Sequence, residues 1–304
     1  MTSARIASEV PLRQVLEGGR DGLSDLRAAA GALRDRVFGR KVFIRGVLEV
    51  SNFCRQNCHY CGMRRDNRSL ERYRMELDSL REIVFSHRPE CVTDINLQAG
   101  EDPIAVRQIV LPLIREIREK TDLGVSVCLG TLSPAVYREL REAGAFYYII
   151  KLETGDAAHY AQVQAPGCLE DRLEAIRHLA ASGWSVSSGF IVGLPGQTAE
   201  HITGSLELIR ELPLAGCSVS PFIPGEETPL RGSPCGDLEL TLNCLAWMRL
   251  AGPDRVIPAV SAMSYVGENG YARALQAGAN LATINLTPSD LRQNYLIYKK
   301  NRLI

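Results

Sequence analysis

Three cysteines lie close together in the chain, Cys54, Cys58 and Cys61, in the spacing CxxxCxxC. Three thiols at this separation cannot all pair as disulfides, but thiolates in a short loop are the usual ligands of iron–sulfur clusters. A 4Fe-4S cube needs four ligands, so a loop with three cysteines leaves one iron open to a cofactor. The spacing therefore predicts a 4Fe-4S cluster, with these cysteines as its metal ligands and as catalytic residues.

Two simpler interpretations of the same cysteines stay open at this point. His59 could complete a zinc site, although zinc motifs usually set two pairs of ligands apart in the sequence. The cysteines could also be ordinary core residues, although CxxxCxxC is too clustered to be explained by packing alone.

Composition narrows the class of protein. The 304 residues carry 35 basic and 35 acidic side chains, so bulk charge supports neither a nucleic-acid nor a membrane partner. Nine cysteines and a start without an export signal predict a cytoplasmic protein rather than a disulfide framework. No apolar run is long enough to cross a bilayer.

Strand-like and helix-like runs alternate along most of the chain, which is typical of an α/β fold. Eight strands are predicted, at residues 42–50, 92–98, 124–129, 146–152, 185–192, 216–222, 255–260 and 280–285. This pattern predicts a (β/α)8 TIM-type barrel over residues 42–304, after a short helical N-terminal lead-in over residues 1–41. Active sites of such barrels lie at the C-terminal ends of the strands, and the cysteine loop follows the first strand.

The stretch SNFCRQNCHYCGMRRDNRSLERYRM, residues 51–75, resembles the radical S-adenosylmethionine (SAM) enzymes, with an aromatic residue before the last cysteine. It is most similar to the HydE group, the maturases of iron-only hydrogenase, with biotin synthase and the methylornithine synthase PylB as nearest relatives. The resemblance implies that SAM binds the open iron and is cleaved reductively to a 5'-deoxyadenosyl radical. That radical would attack a small-molecule or carrier-bound substrate inside the barrel, and a reduced flavodoxin- or ferredoxin-type protein would supply the electron.

The resemblance also implies which residues hold SAM. Gly100-Glu101, after the second strand, is similar to the family's GGE-type motif, which binds the amino group of SAM. Glu153, after the fourth strand, matches the acid that contacts the SAM ribose, as acidic residues do in dinucleotide sites. Without the resemblance, these residues would be interpreted as a turn into a helix and a solvated loop acid.

Three further positions complete the implied SAM site. Arg172 matches an arginine whose guanidinium fork suits the SAM carboxylate, although a surface ion pair would be the simpler explanation. Gly193 lies in a glycine-spaced turn similar to the family's adenine-contacting segment. Tyr60 would contact the adenine through its backbone.

Some family features are missing. The ligands of the second cluster of biotin synthase fall at Ser126 and Ser187, and its arginine near Ala259, so biotin synthesis by that route is disfavoured. Three other cysteines lie near the predicted catalytic face and could hold a second cluster: Cys128, Cys168 and Cys235. A single cluster is predicted. The alternatives are a sulfur-inserting enzyme of the lipoyl synthase type, then a methylornithine synthase-like mutase, and, outside enzymes, a structural iron–sulfur or zinc protein.

Overall fold

The computed structural model describes residues 15–16 and 24–298. Within them, seven strands form one parallel sheet: β1 (Phe43–Ser51), β2 (Asp94–Ala99), β3 (Gly124–Cys128), β4 (Tyr147–Ile149), β5 (Ser185–Val192), β6 (Gly216–Pro221) and β7 (Leu281–Asn285). The strand order is β6-β5-β4-β3-β2-β1-β7, so β7 returns to pair with β1. Seven of the eight predicted strands are therefore present, with ends shifted by a few residues.

Helices connect the strands. They are α1 (Ser24–Phe38), α2 (Leu77–Glu82), α3 (Pro103–Ala105), α4 (Leu111–Lys120), α5 (Pro134–Ala143), α6 (Ala157–Gln162), α7 (Leu169–Ala181), α8 (Ala199–Glu211), α9 (Leu238–Ala251), α10 (Met263–Val266), α11 (Gly270–Gln276) and α12 (Ser289–Arg292). Single π-helical segments, Ile83–His87 and Val106–Val110, extend α2 and link α3 to α4. Each long connection returns the chain to the start of the next parallel strand.

The eighth predicted strand, residues 255–260, is not a strand. It makes two isolated parallel bridges, Gly216 with Val256 and Pro258 with Leu281, which connect the open edges of β6 and β7. A full ladder does not form because Pro258 has no N–H to donate and the Ile257 N–H donates to the side chain of Asn280 at 2.8 Å. The described residues thus form a seven-stranded partial barrel rather than a full (β/α)8 barrel.

Side chains alternate between the two faces of this sheet. The outward positions are apolar and fully buried under the helices, for example Leu48, Leu97 and Val127. The inward positions are polar on several neighbouring strands. Arg45 on β1 lies in register with Asp94 on β2, and Asn96 on β2 lies in register with Ser126 on β3. Parallel strands are usually apolar on both faces, so a polar interior distinguishes this barrel.

The helical lead-in can be followed only in part, since residues 1–14 and 17–23 lie outside the described residues, as do residues 299–304. Helix α1 packs on the outer helices α9 and α11. Its Arg27 donates to Glu239 at 2.7 Å and to Asn243 at 2.8 Å, and a Cβ on Gly31 would lie 2.4 Å from the Gln276 carbonyl oxygen. None of the described helices is long and apolar enough to cross a membrane.

Candidate active site

The cysteine loop follows β1, and its two ends are held together by one side chain, Arg72. The Arg72 guanidinium donates to the carbonyl oxygens of Asn52 at 2.6 Å, Met63 at 2.9 Å, Arg64 at 2.7 Å and Asn67 at 3.2 Å. Residue 52 precedes the cysteines and the other three follow them, so Arg72 fixes the loop as a closed unit. Sequence reasoning missed this role, because an arginine that binds only backbone carbonyls leaves no pattern in the chain.

A second anchor lies beneath the start of the loop. The buried carboxylate of Asp102 accepts from Ser51 Oγ at 2.7 Å, from Arg74 Nε at 2.7 Å and from the Ile104 N–H at 3.2 Å. Desolvation alone would raise the pKa of Asp102, but the Arg74 and Ser51 hydrogen bonds outweigh it and hold this pKa below its usual value. The Arg74 guanidinium also lies 4.0 Å from the centre of the Phe53 ring. These contacts tie β1 and β2 together where the loop begins.

Glu101 connects the cysteine loop to the segment that follows β3. Its carboxylate accepts from Arg55 Nε at 3.1 Å, from the Gln56 side chain and from the Thr131 N–H at 3.0 Å, and its own N–H donates to Cys54 Sγ at 3.4 Å. The side chain is therefore engaged within the protein. The Gly100-Glu101 motif therefore has its backbone atoms left to offer to an ammonium group. Its binding of SAM stays a prediction.

Gly100 lies where the chain passes closest to the cysteine loop. A Cβ there would lie 2.3 Å from the Phe53 carbonyl oxygen and 2.7 Å from Cys54 Cβ, which is closer than real Cβ atoms come. Only glycine fits this approach without moving the first cysteine.

We therefore expect Gly100→Ala to push Cys54 out of place and to lower the iron bound per folded chain after anaerobic reconstitution. Gly232→Ala is the matched control, because a Cβ at Gly232 would meet nothing within 4 Å. Iron assay with circular dichroism measures both effects. Equal iron content in the two variants would contradict the tight approach.

The three thiols influence one another's ionisation, and Cys58 is buried while Cys54 and Cys61 are half-buried. Burial raises the pKa of Cys54 and, to about 12, that of Cys58, against a hydrogen bond with Tyr60 that acts in the opposite direction. Burial, and the neighbouring Cys58, also raise the pKa of Cys61. A cysteine nucleophile needs a lowered pKa, so the protein alone does not activate these thiols. Bound metal would supply the missing positive charge.

No group of three or more His, Cys, Asp or Glu side chains within residues 15–16 and 24–298 is arranged around one metal ion. A zinc site that includes His59 would need such a group. A cube makes a different demand, because each cysteine binds its own iron. Three clustered thiols on one fixed loop fit a 4Fe-4S cluster in chemistry and in number.

Glu153 has an uncommon backbone conformation, with φ of +63°, four residues after the end of β4. Hydrogen bonds to β5 hold it there: its N–H donates to the Gly189 carbonyl at 3.1 Å, and its carbonyl accepts from the Ile191 N–H at 2.9 Å. Such strain in a non-glycine residue is concentrated at functional sites. Burial raises the pKa of Glu153, while Lys151 and Arg172 act to lower it. Among the described residues, none is hydrogen-bonded to the Glu153 carboxylate.

Arg172 lies in the first turn of α7 and is buried, with 4% of its surface exposed. Its Nε donates to the Tyr160 hydroxyl at 3.3 Å, and that hydroxyl donates to the Pro166 carbonyl at 2.7 Å. No carboxylate in the described part of the chain forms an ion pair with Arg172. Burial acts to lower the pKa of Arg172, but Tyr160 and the charges of Glu101 and Glu153 outweigh it and raise that pKa. A buried guanidinium with two free ends suits a ligand carboxylate.

Gly193 forms the turn after β5 with φ of +89°, and a Cβ there would lie 2.4 Å from the Gly236 Cα. The Gln197 side chain closes this turn, accepting from the Gly193 N–H at 2.6 Å and donating to the Ile191 carbonyl at 2.7 Å. Tyr60 is buried beside Cys58. The structure thus gives both residues fixed positions, but their predicted adenine contacts stay untested.

The other candidate cysteines lie in different settings. Cys128 faces the barrel interior, where Lys151 and Glu153 influence its pKa, which burial raises. Cys168 is exposed and caps α7, its sulfur accepting from the Asp171 N–H at 3.5 Å, and Cys235 is exposed in a groove with Arg27. This arrangement gives no support to a second cluster shared by the three.

A row of polar side chains on the inner face of β1 and β2 was not predicted. Asn96 donates to Gln98 and Gln98 to Glu49, each at 3.4 Å. The side-chain oxygen of Asn96 is buried and has no hydrogen-bond partner among the described residues. The sequence carried a signal for this row, because INLQ alternates apolar and polar residues within a parallel strand and VLEV places one acidic residue in an apolar strand.

Comparisons with known proteins agree with this site. The family described as the radical SAM superfamily matches residues 48–209. The [FeFe] hydrogenase maturase subunit HydE of Thermotoga maritima is 36% identical over 269 residues, 88% of this chain and 77% of that protein. The 3-methylornithine synthase of Methanosarcina barkeri is 27% identical over 93% of this chain and 80% of its own. The crystal structure of methylornithine synthase (PylB) superposes with a TM-score of 0.86 at 25% identity, covering 99% of this chain and 90% of that one.

The predicted kinship with HydE, PylB and biotin synthase is confirmed, since biotin synthases also match, for example that of Streptomyces avermitilis at 29% identity over 79% of this chain. The matched region begins in β1 and contains the cysteine loop and the strand ends that carry Gly100, Glu153, Arg172 and Gly193. The chain belongs to the radical SAM superfamily and is a radical SAM enzyme of the HydE-like group.

Proposed function

We propose that this chain holds a 4Fe-4S cluster on Cys54, Cys58 and Cys61 and cleaves SAM reductively there. One observation carries the proposal: the three clustered thiols lie at the same strand ends as Glu153 and Arg172. Neither of these two charged side chains forms an ion pair within the described residues. When bound, the cluster and SAM together supply the 5'-deoxyadenosyl radical that starts the reaction on the substrate.

The chain's own residues bind and orient SAM and shield it from water. Arg172 binds the SAM carboxylate and Glu153 accepts from the ribose hydroxyls, because each presents charge without a protein partner in the described residues. The Gly193 turn offers backbone to the adenine. Arg72 and Glu101 are positioning residues, since they act by fixing the cysteine loop rather than by touching SAM.

The substrate we propose is a small polar molecule inside the barrel. The inner face of β1 and β2 supports this, because Glu49, Asn96 and Gln98 offer hydrogen-bonding groups where barrels are usually filled with branched apolar side chains. Segment 255–260 would complete the barrel wall between β6 and β7. The 36% identity to HydE favours a hydrogenase-maturase-like reaction in a reducing cytoplasm.

Anaerobic reconstitution with iron and sulfide, followed by dithionite and SAM, tests the proposal. We expect about four irons per chain and the release of 5'-deoxyadenosine and methionine. Protein that contains iron at this level but releases neither product would refute it. An iron content near twice that value, falling back when Cys128 is replaced, would favour the sulfur-inserting alternative.

A methylornithine-synthase-like rearrangement is the second candidate. It is supported by the TM-score of 0.86 to PylB over 99% of this chain. Product analysis separates the two candidates: turnover of a free amino acid to a branched isomer would favour the rearrangement.

A further inference from the structure

The cysteine loop is a basic region of a chain without net charge. Residues 51–74 contain six arginines against two acidic residues, a local excess of four positive charges. The cluster and SAM sites use few of these arginines directly. The excess therefore needs its own explanation.

Five of these six arginines fall into two sets, and the sixth, Arg64, is half-buried. Arg72 and Arg74 turn inward, to backbone carbonyls and to Asp102. Three others are exposed on the outer side of the loop and are called here the rim arginines: Arg55, Arg65 and Arg68.

The rim arginines lie on adjoining segments. The Arg65 N–H donates to the Gln56 carbonyl at 2.7 Å, and the Asn57 side chain donates to Asp66 at 2.7 Å, so the chain on both sides of Cys58 and Cys61 forms one surface. Arg65 pairs with Asp66 at 3.1 Å, but both side chains are more than half exposed, 62% and 53%. Such pairs are weak, so the charge stays available to a partner. Arg68 has no ion pair within residues 24–298.

We propose that the rim arginines form the docking surface for a small acidic one-electron carrier protein of the flavodoxin type. This rests on the proposed function, which requires one electron from outside the chain. The stretch of chain that carries the three cysteines also exposes these arginines, so a carrier bound there would lie beside the loop that holds the cluster. Opposite charge also steers and orients such a carrier. The carrier would be oxidised by one electron, the cluster held by the three cysteines would be reduced by that electron, and no covalent bond of this chain would be made or broken.

The test is the double variant Arg65→Glu/Arg68→Glu of the full reconstituted chain; Arg55 is left intact because it contacts Glu101. The matched control is Arg177→Glu/Arg210→Glu, which changes charge equally at two exposed arginines that also form surface pairs. These lie in the later turns of α7 and α8, which run back toward the opposite end of the strands. Calorimetry measures the affinity for an acidic flavodoxin.

At low ionic strength we expect the rim variant to bind flavodoxin at least about tenfold more weakly than wild type, and the control variant to bind normally. The difference should shrink in high salt, because the screening length falls to about 3 Å at 1 M. SAM cleavage driven by dithionite should be unchanged in the rim variant, while cleavage driven by flavodoxin falls.

Equal flavodoxin affinity in the rim variant and wild type would overturn the proposal, as would an equal loss in the control. Failure of the proposed function is a separate result. In that case wild-type protein would not cleave SAM even with dithionite, while the binding measurement would still decide whether the rim arginines dock the carrier.

Discussion

Replacing any one of Cys54, Cys58 and Cys61 by Ala should reduce SAM cleavage below detection. Each sulfur is expected to bind a different iron, so no second thiol on the loop can substitute for the lost one. The chain should still fold, because Arg72, Asp102 and the strands hold the loop through contacts that do not involve these sulfurs. Product analysis for 5'-deoxyadenosine, with iron and sulfide assays, measures the effect.

Cys244→Ala is the control for these variants. Cys244 is fully buried, but it lies on α9 among apolar side chains. It should keep wild-type iron content and wild-type cleavage. Reductive cleavage retained by any of the three loop variants would show that the cluster is held elsewhere.

Changing Arg172 or Glu153 should weaken SAM binding strongly without removing the cluster. Arg172→Ala removes a guanidinium, and Glu153→Gln removes a carboxylate charge at constant shape. Loss of one charged hydrogen-bond partner costs about 1.5–3 kcal/mol, or roughly tenfold to a hundredfold in affinity. Arg172→Lys should also fall short of wild type, because an ammonium cannot bind a carboxylate with two parallel hydrogen bonds.

Calorimetry with SAM on reconstituted protein measures these affinities. Arg177→Ala serves as the control on the same helix, because its side chain is 53% exposed and pairs with Glu170 on the surface. Its SAM affinity should match wild type. If Arg172→Ala and Glu153→Gln also match wild type at normal iron content, neither residue holds SAM.

Strain at Glu153 has a separate consequence for that variant. The φ of +63° is imposed by backbone hydrogen bonds to Gly189 and Ile191, which do not involve the carboxylate. Glu153→Gln should therefore keep the backbone conformation. A loss of SAM affinity in this variant is then a loss of charge, not of local structure.

The sequence by itself determined the cysteine loop and the order of strands and helices, and it predicted which residues hold the cofactor. Cys54, Cys58 and Cys61 were found because ligand spacing in one loop is a local property. Seven strands were found because each is a short apolar run bounded by glycine, proline or polar residues. Glu153 and Arg172 could be named because they immediately follow or open such elements, where barrel active sites lie.

Only the tertiary structure decided how the barrel closes. Residues 255–260 have the composition of a strand, yet Pro258 and the side chain of Asn280 prevent a regular ladder. Propensity describes one segment at a time, whereas the bridges of this segment depend on two strand edges distant in sequence.

Tertiary structure also decided which polar residues position the cysteine loop rather than bind the cofactor. Arg72, Asp102 and the Glu101 side chain bind groups that come together only after folding, so nothing in their neighbours announced them. The same is true of the inward row from Asn96 to Glu49, which depends on the register of β1 with β2. The residues predicted to bind the cofactor are thus recognised from short sequence motifs. The contacts that fix the cysteine loop and the polar interior of the barrel depend on the assembled sheet.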